Sequence, residues 1–162
     1  MKKLLAITLA ALMLVTLCAC GGNYKNNVDV DDLADKAMSC IPLDNGYLDW
    51  DDDIIDYYLS DAEELADDCE VYESKDGNDH NLFGIFKAEK SGDVGKIKDA
   101  CESFIEKYSS DISGSVQNYA PGEAEKYENA KVTVYGNYVI VTILSGEDTS
   151  AVLGAIEAEL KN

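Results

Sequence analysis

The chain is short of positive charge and of histidine. Its 162 residues carry 13 basic side chains against 32 acids, and one histidine. A formal net charge of -19 excludes the basic face that nucleic-acid binding needs to neutralise phosphates. It also excludes docking on anionic lipid headgroups through a polybasic patch. His80 is the one residue that a Ser-His-Asp or Cys-His site would have to use. It follows the turn sequence Asp-Gly-Asn-Asp and reads as an exposed strand start. No CxxC, zinc-ligand spacing, phosphate-cradling glycine loop or nucleophile elbow occurs, so neither a metal nor a cofactor is expected, and no enzyme activity. The hydrophobic fraction of 46% is ordinary, which excludes wholesale disorder.

What is present begins with an address. Lys2 and Lys3 precede an apolar run from Leu4 to Leu17. That run is shorter than the roughly 20 residues a bilayer-spanning helix needs, and reads as a secretory signal peptide. The following segment, Leu17-Cys18-Ala19-Cys20-Gly21, resembles a bacterial lipobox. The resemblance implies diacylglyceryl transfer to the Cys20 thiol and cleavage before it. Cys18 is the weaker acceptor, because Thr16 and Val15 would then have to serve as the small and aliphatic positions. An ordinary secreted protein is the other alternative.

The expected organisation is a signal peptide over 1–19, a lipidated cysteine with a short tether over 20–28, and one globular domain over 29–162. Cleavage removes two lysines and no acid, leaving a charge of -21 on 143 residues. The expected location is the extracytoplasmic face of the cell membrane, with the membrane itself a partner through the N-terminal lipid. Two acyl chains hold a protein stably at a membrane where one holds it marginally. The acidic surface would stand off the headgroups.

Cys40, Cys69 and Cys101 remain in the mature chain. Cys101 falls on an apolar helical stripe and reads as core. A Cys40–Cys69 disulfide is conceivable in an exported protein, and three cysteines leave at least one free.

Periodicity gives the elements. Val30, Leu33, Ala34, Ala37 and Met38 mark an amphipathic helix over 29–40, capped by Asp29 and stopped by Pro42. Tyr47 to Trp50 is a short extended piece. Asp51, Asp52 and Asp53 open a second helix, and 61–68 is a polar helical or irregular connection. Cys69–Ser74 and Asn81–Ala88 form two strands about the Lys75–Asp79 turn. Apolar residues on both faces of the second place it inside a sheet. Gly84 allows a close approach, expected from a packed helix.

Ser91 caps a helix over 92–108 with Val94, Ile97, Cys101, Phe104, Ile105 and Tyr108 inward. A polar linker follows, and Pro121 starts a short helix to Glu128. KVTVY and YVIVTIL pair about the two-residue turn Gly136-Asn137, with glycine at the first central position. This register sets Val132, Val134, Val139, Val141 and Ile143 on one face. Thr149 or Ser150 caps a last helix. The fold class is α+β: a two-layer sandwich of about four antiparallel strands (ββ-α-ββ-α), helices on one face, preceded by N-terminal helices. The two ββα units form a candidate degenerate repeat.

The segments NLFGIFKA, KIKDACESFIEK and YAPGEAEKYENAKVTVYGNYVIVTI resemble an uncharacterised family of small lipoproteins from Gram-positive anaerobes, catalogued as domain of unknown function four-three-five-eight. The resemblance runs from about Val30 to Leu160. Gly122 departs from it, standing where the family often has an acid. It implies fold, export and anchoring, and assigns no catalytic residue.

Three constellations remain. Asp49, Asp51, Asp52, Asp53 and Asp56 could gather about a hard cation, but the spacing fails the EF-hand pattern and reads as an acid-dressed helix start. Tyr47, Trp50, Tyr57 and Tyr58 could form an aromatic platform for a sugar or peptide. Glu70 and Glu73 are the acids placed to be buried, on a strand with one face expected wet. The functional expectation is a membrane-anchored, non-catalytic binding or accessory module with a protein or cell-wall partner. The alternatives are an exported hydrolase of cell-wall or nutrient polymers, and a low-affinity cation or solute binder.

Overall fold

In the computed structural model, which describes residues 24–41, 46–119 and 121–162, five antiparallel strands form one sheet. Leu17, Cys18, Ala19, Cys20 and Pro42 lie outside the described residues. The chain runs α1 (Val30–Met38), β1 (Tyr47–Asp49), α2 (Asp52–Glu63), β2 (Ala66–Ser74), β3 (Leu82–Ala88), α3 (Val94–Tyr119), a 3-10 turn (Pro121–Glu123), α4 (Ala124–Glu128), β4 (Lys131–Tyr135), β5 (Tyr138–Ile143) and α5 (Gly146–Leu160). Strand order is β1-β2-β3-β5-β4. The class is α+β, and the short extended piece at Tyr47 supplies a fifth strand at the edge, paired Tyr47 to Ser74.

The expected single helical layer is corrected: helices cover both faces. On one face, α2 and α3 bury Ile55, Leu59, Ile97, Cys101 and Phe104 against Val71, Phe86, Val139 and Val141. On the other, α1 and α5 bury Leu33, Ala37, Val152 and Ile156 against Phe83, Ile85, Tyr138 and Ile140. The cause is the composition of β3 and β5. Both strands are apolar at consecutive positions, every residue of β5 is buried, and a strand apolar on both faces must be covered on both. Burying each large side chain contributes roughly 1.5–3 kcal/mol, so both layers are needed to remove these strands from water. The helices following the two strand pairs, α3 and α5, therefore lie on opposite faces.

Local signals act much as the sequence implies. Asp29 and Asp51 cap α1 and α2, accepting from the backbone N–H of Asp31 and Ile54 at 3.0 Å each. The final hairpin has the expected register, Tyr135 opposite Tyr138 and Val132 opposite Val141. Gly136 has φ +61° and is followed by a residue without positive φ, which fits a type II′ turn and excludes type I′.

Four boundaries differ. β2 begins at Ala66 rather than Cys69. α3 begins at Val94 and continues to Tyr119 through the stretch expected as a linker. α5 begins at Gly146, capped by Ser145 rather than Thr149 or Ser150. The space beside Gly84 is taken by cross-strand valines, not by a helix. A Cβ there would stand 3.0 Å from Val141 Cγ1 and 3.1 Å from Val71 Cγ2.

The N-terminal segment is tied to one pole of the molecule. The Lys25 N–H donates to the Leu160 carbonyl at 2.7 Å, and the Lys25 ammonium to the Glu159 carbonyl at 2.8 Å. The Tyr138 hydroxyl donates to the Val28 carbonyl at 2.7 Å and accepts from the Val28 N–H at 2.9 Å. Tyr24 and Asn26 pass beside Gly136. The Ala88 N–H bonds to the Asn137 carbonyl and the Glu89 N–H to the Leu65 carbonyl. The final turn, the start of β2 and the end of α2 thus share the pole at which the chain enters.

Candidate functional site

α2 and α3 lie side by side on one face of the sheet and leave a groove between them. Its wider part, about 440 Å³, is lined by Asp61, Glu64, Leu65, Lys96, Asp99, Ala100 and Ser103. A narrower part of about 140 Å³ shares Asp61, Ala100 and Ser103 and extends past Tyr58 and Phe104 to Lys107. Leu65 and Ala100, half-buried against the core, give the groove an apolar floor. Its charge is uneven. The Lys96 ammonium pairs with Asp93 at 2.8 Å. The Lys107 ammonium sits over the rings of Tyr57 and Tyr58, 4.9 and 5.5 Å from their centroids. Asp61, Glu64 and Asp99 are exposed and make no ion pair with any described residue. Partial desolvation, then repulsion from Asp56, Asp52 and Glu64, raises the neighbouring Glu63 carboxyl above its ordinary value.

A second polar cluster lies at the opposite pole, around the β2–β3 connection. The Glu73 carboxylate accepts the Trp50 indole N–H and the Tyr108 hydroxyl, each at 3.0 Å. Trp50 packs among Tyr58, Phe104 and Tyr108 at ring separations of 5.6–6.3 Å. Burial, then the Glu73 charge, pushes the Tyr108 hydroxyl up, so it stays a donor at neutral pH. Beside this network, Lys126 bridges Asp79 at 2.6 Å and Glu123 at 2.5 Å. Glu123 also accepts the His80 backbone N–H at 2.9 Å. This cluster locks β1, β2, α3 and α4 together.

Glu70, three residues from Glu73, points to the other face. No single face of β2 is the wet one: Glu73 sits with the α3 aromatics and Glu70 with Tyr72 beneath α1. Desolvation pushes the Glu70 carboxyl up to about 7; Asp49 and Asp31 add to the rise and the Tyr72 hydroxyl bond offsets part of it.

The remaining candidates separate. Asp49, Asp51, Asp52, Asp53 and Asp56 are all exposed, Asp51 is a helix cap, and among the described residues no three His, Cys, Asp or Glu side chains are placed to hold a metal. Of the four aromatic candidates, Trp50, Tyr57 and Tyr58 come together. Tyr47 goes to the other face, edge-on to Phe83 at 5.9 Å. Trp50 is buried and only Tyr57, 69% exposed, presents a ring to solvent. His80 is half-buried rather than exposed, its ring 6.0 Å from that of Tyr127. Cys40, Cys69 and Cys101 are all free thiols. Cys40 packs on the α1/α5 face and Cys69 on the α2/α3 face, which rules out the disulfide conceived between them. Burial pushes the Cys69 and Cys101 thiols up to about 12, so both are inert core groups.

The groove carboxylates escaped the sequence reading. Asp61 and Glu64 fall in the stretch that reads as a polar helical or irregular connection, and Asp99 lies next to the wet stripe of α3.

Taken together, the chain is an α+β domain with an antiparallel sheet between two helical layers and an open, acid-rimmed groove on one of them. It belongs to the family described as Domain of unknown function (DUF4358), whose match covers residues 48–144. No curated protein and no solved structure matches it.

Proposed function

We propose that the protein is a lipid-anchored, extracytoplasmic binding module without catalysis of its own. The observation that supports this most directly is the attachment of the N-terminal segment. Cys20 stands four residues ahead of Tyr24, which bridges to Lys161. Four residues span at most about 14 Å. A diacylglyceryl group on Cys20 would hold the pole containing Gly136 close to the bilayer, with the wider end of the groove on the flank beside it and the opposite pole toward the exterior. The groove is open and Asp61, Glu64 and Asp99 make no ion pair with any described residue, which suits the capture of a ligand better than chemistry in a site that restricts water.

In the producing cells, Cys20→Ser is expected to move the protein from the membrane to the soluble or unprocessed fraction. Cys18→Ser is expected to leave it in place. Mass spectrometry that finds a mature chain beginning at an unmodified Gly21 overturns the anchoring.

One observation favours the exported hydrolase as a second reading. Glu70 has the raised carboxyl that a general acid needs near neutral pH. It lies outside the groove, among Asp31, Asp49 and Tyr72. Turnover of cell-wall glycans, peptides or phosphoesters that vanishes in Glu70→Gln, with folding intact, would establish that reading.

A further inference from the structure

We infer that the groove between α2 and α3 is a docking site for an extended, lysine- or arginine-bearing segment of a second protein. The inference rests on the binding-module reading and names the chemistry of its partner. Three features of one place carry it. The groove offers exposed carboxylates from both walls, Asp61 and Glu64 from the α2 side and Asp99 from α3, none in an ion pair with a described residue, while Lys96, which also lines it, is paired with Asp93. Between them lies the apolar floor of Leu65 and Ala100, which covers the aliphatic stem of a long basic side chain while its head stays at the rim. Where the groove narrows, the chain already seats a primary ammonium of its own: Lys107 lies over Tyr57 and Tyr58, two rings that meet edge-on at 4.7 Å.

Charge settles the sign of the occupant. A formal net charge of -19 and the repulsion already registered at Glu63 turn away an acidic segment. A basic segment relieves that repulsion as it binds. The length of the groove, from Leu65 past Phe104 to Lys107, takes several residues of extended chain rather than a single cation. Lys107 partly occupies this end and competes with an incoming cation, so its removal is a gain-of-affinity variant.

The test is an anisotropy titration of full-length protein in detergent with a short fluorescein-labelled oligolysine peptide. Oligoglutamate serves as the control. Saturable binding of oligolysine alone is expected. Asp61→Asn with Asp99→Asn should weaken it about tenfold. Asp32→Asn with Asp35→Asn, the same loss of charge from exposed positions on α1 across the sheet, should change it less than about twofold. Lys107→Gln should tighten it. Equal weakening by the two double variants, or an unchanged affinity in Asp61→Asn with Asp99→Asn, overturns the groove as the site. A cellular partner crosslinked equally well by wild type and by Asp61→Asn with Asp99→Asn also overturns it, while leaving the binding-module reading in place. All substituted positions are exposed, and circular dichroism melts verify that each variant folds.

Discussion

Gly136 and Glu70 show how much a single residue decides. Gly136 holds φ +61°, and a Cβ added there would stand 3.0 Å from Asn26 Oδ1 and 3.1 Å from Tyr24 Cβ. Gly136→Val therefore combines backbone strain with displacement of the N-terminal segment, and should cost on the order of 1–3 kcal/mol. Asn137→Asp should be nearly neutral. Denaturation midpoints read both; an unchanged midpoint for Gly136→Val removes the turn assignment. Glu70 acts through pH. Its folded value, about 7, lies above the ordinary 4.5, so the folded chain binds this proton more tightly than the unfolded chain does. The contribution is therefore most favourable below about pH 4.5 and is lost as the pH rises toward 7. Because the side chain is half-exposed, solvent screening reduces the effect to about 1 kcal/mol. Glu70→Gln should flatten the stability profile between pH 4.5 and 7 relative to wild type; parallel profiles would refute the assignment.

Elements obey local rules where the rule is strong, and packing where it is weak. The caps of α1 and α2 are short-range hydrogen bonds, so Asp29 and Asp51 could be read from the chain. The start of α5 was equally local but went unread. Ser145 Oγ accepts the Asp148 N–H at 3.1 Å and donates to Asp148 Oδ2 at 2.7 Å. This is a reciprocal cap spaced Ser-x-x-Asp, four residues ahead of the threonine expected to do the work. Ser145→Ala should cost about 1 kcal/mol, whereas Ser150→Ala should cost no more than a few tenths; comparable melting shifts for the two would refute the boundary. The length of α3 is a different case. Serine and glycine lower the helix propensity of the stretch beyond Tyr108. Helix extension nonetheless costs little once a nucleus is packed, and the buried stripe from Val94 to Tyr108 supplies that nucleus.

For the whole molecule, charge and layering dominate. A net charge of -19 makes self-repulsion a destabilising term that dissolved salt screens. Raising salt from about 0.1 to about 1 M shortens the screening length from about 10 to about 3 Å and should raise the melting temperature. A few millimolar calcium should do no more than its ionic strength predicts. Saturable one-to-one calcium binding in calorimetry would contradict this and restore the aspartates around Trp50 as a site.

The sequence by itself determined what acts over a few residues. The two-residue turn at Gly136-Asn137 set the register of β4 and β5, because a one-residue slip would turn every valine to the wrong face. The same holds for the apolar stripes of α1 and α3. The apolar residues on both faces of β3, and Ile140 and Leu144 behind the valines of β5, already carried the sign that both faces would be covered. What they could not carry was which helix would cover which face, since an amphipathic stripe states that a helix is buried but not against what. That choice separated Cys40 from Cys69, put Glu70 and Glu73 on opposite sides, and drew Tyr47 away from Trp50. It also made the groove: Asp61, Glu64 and Asp99 meet only because α2 and α3, separated by two strands in the chain, pack side by side on one face of the sheet.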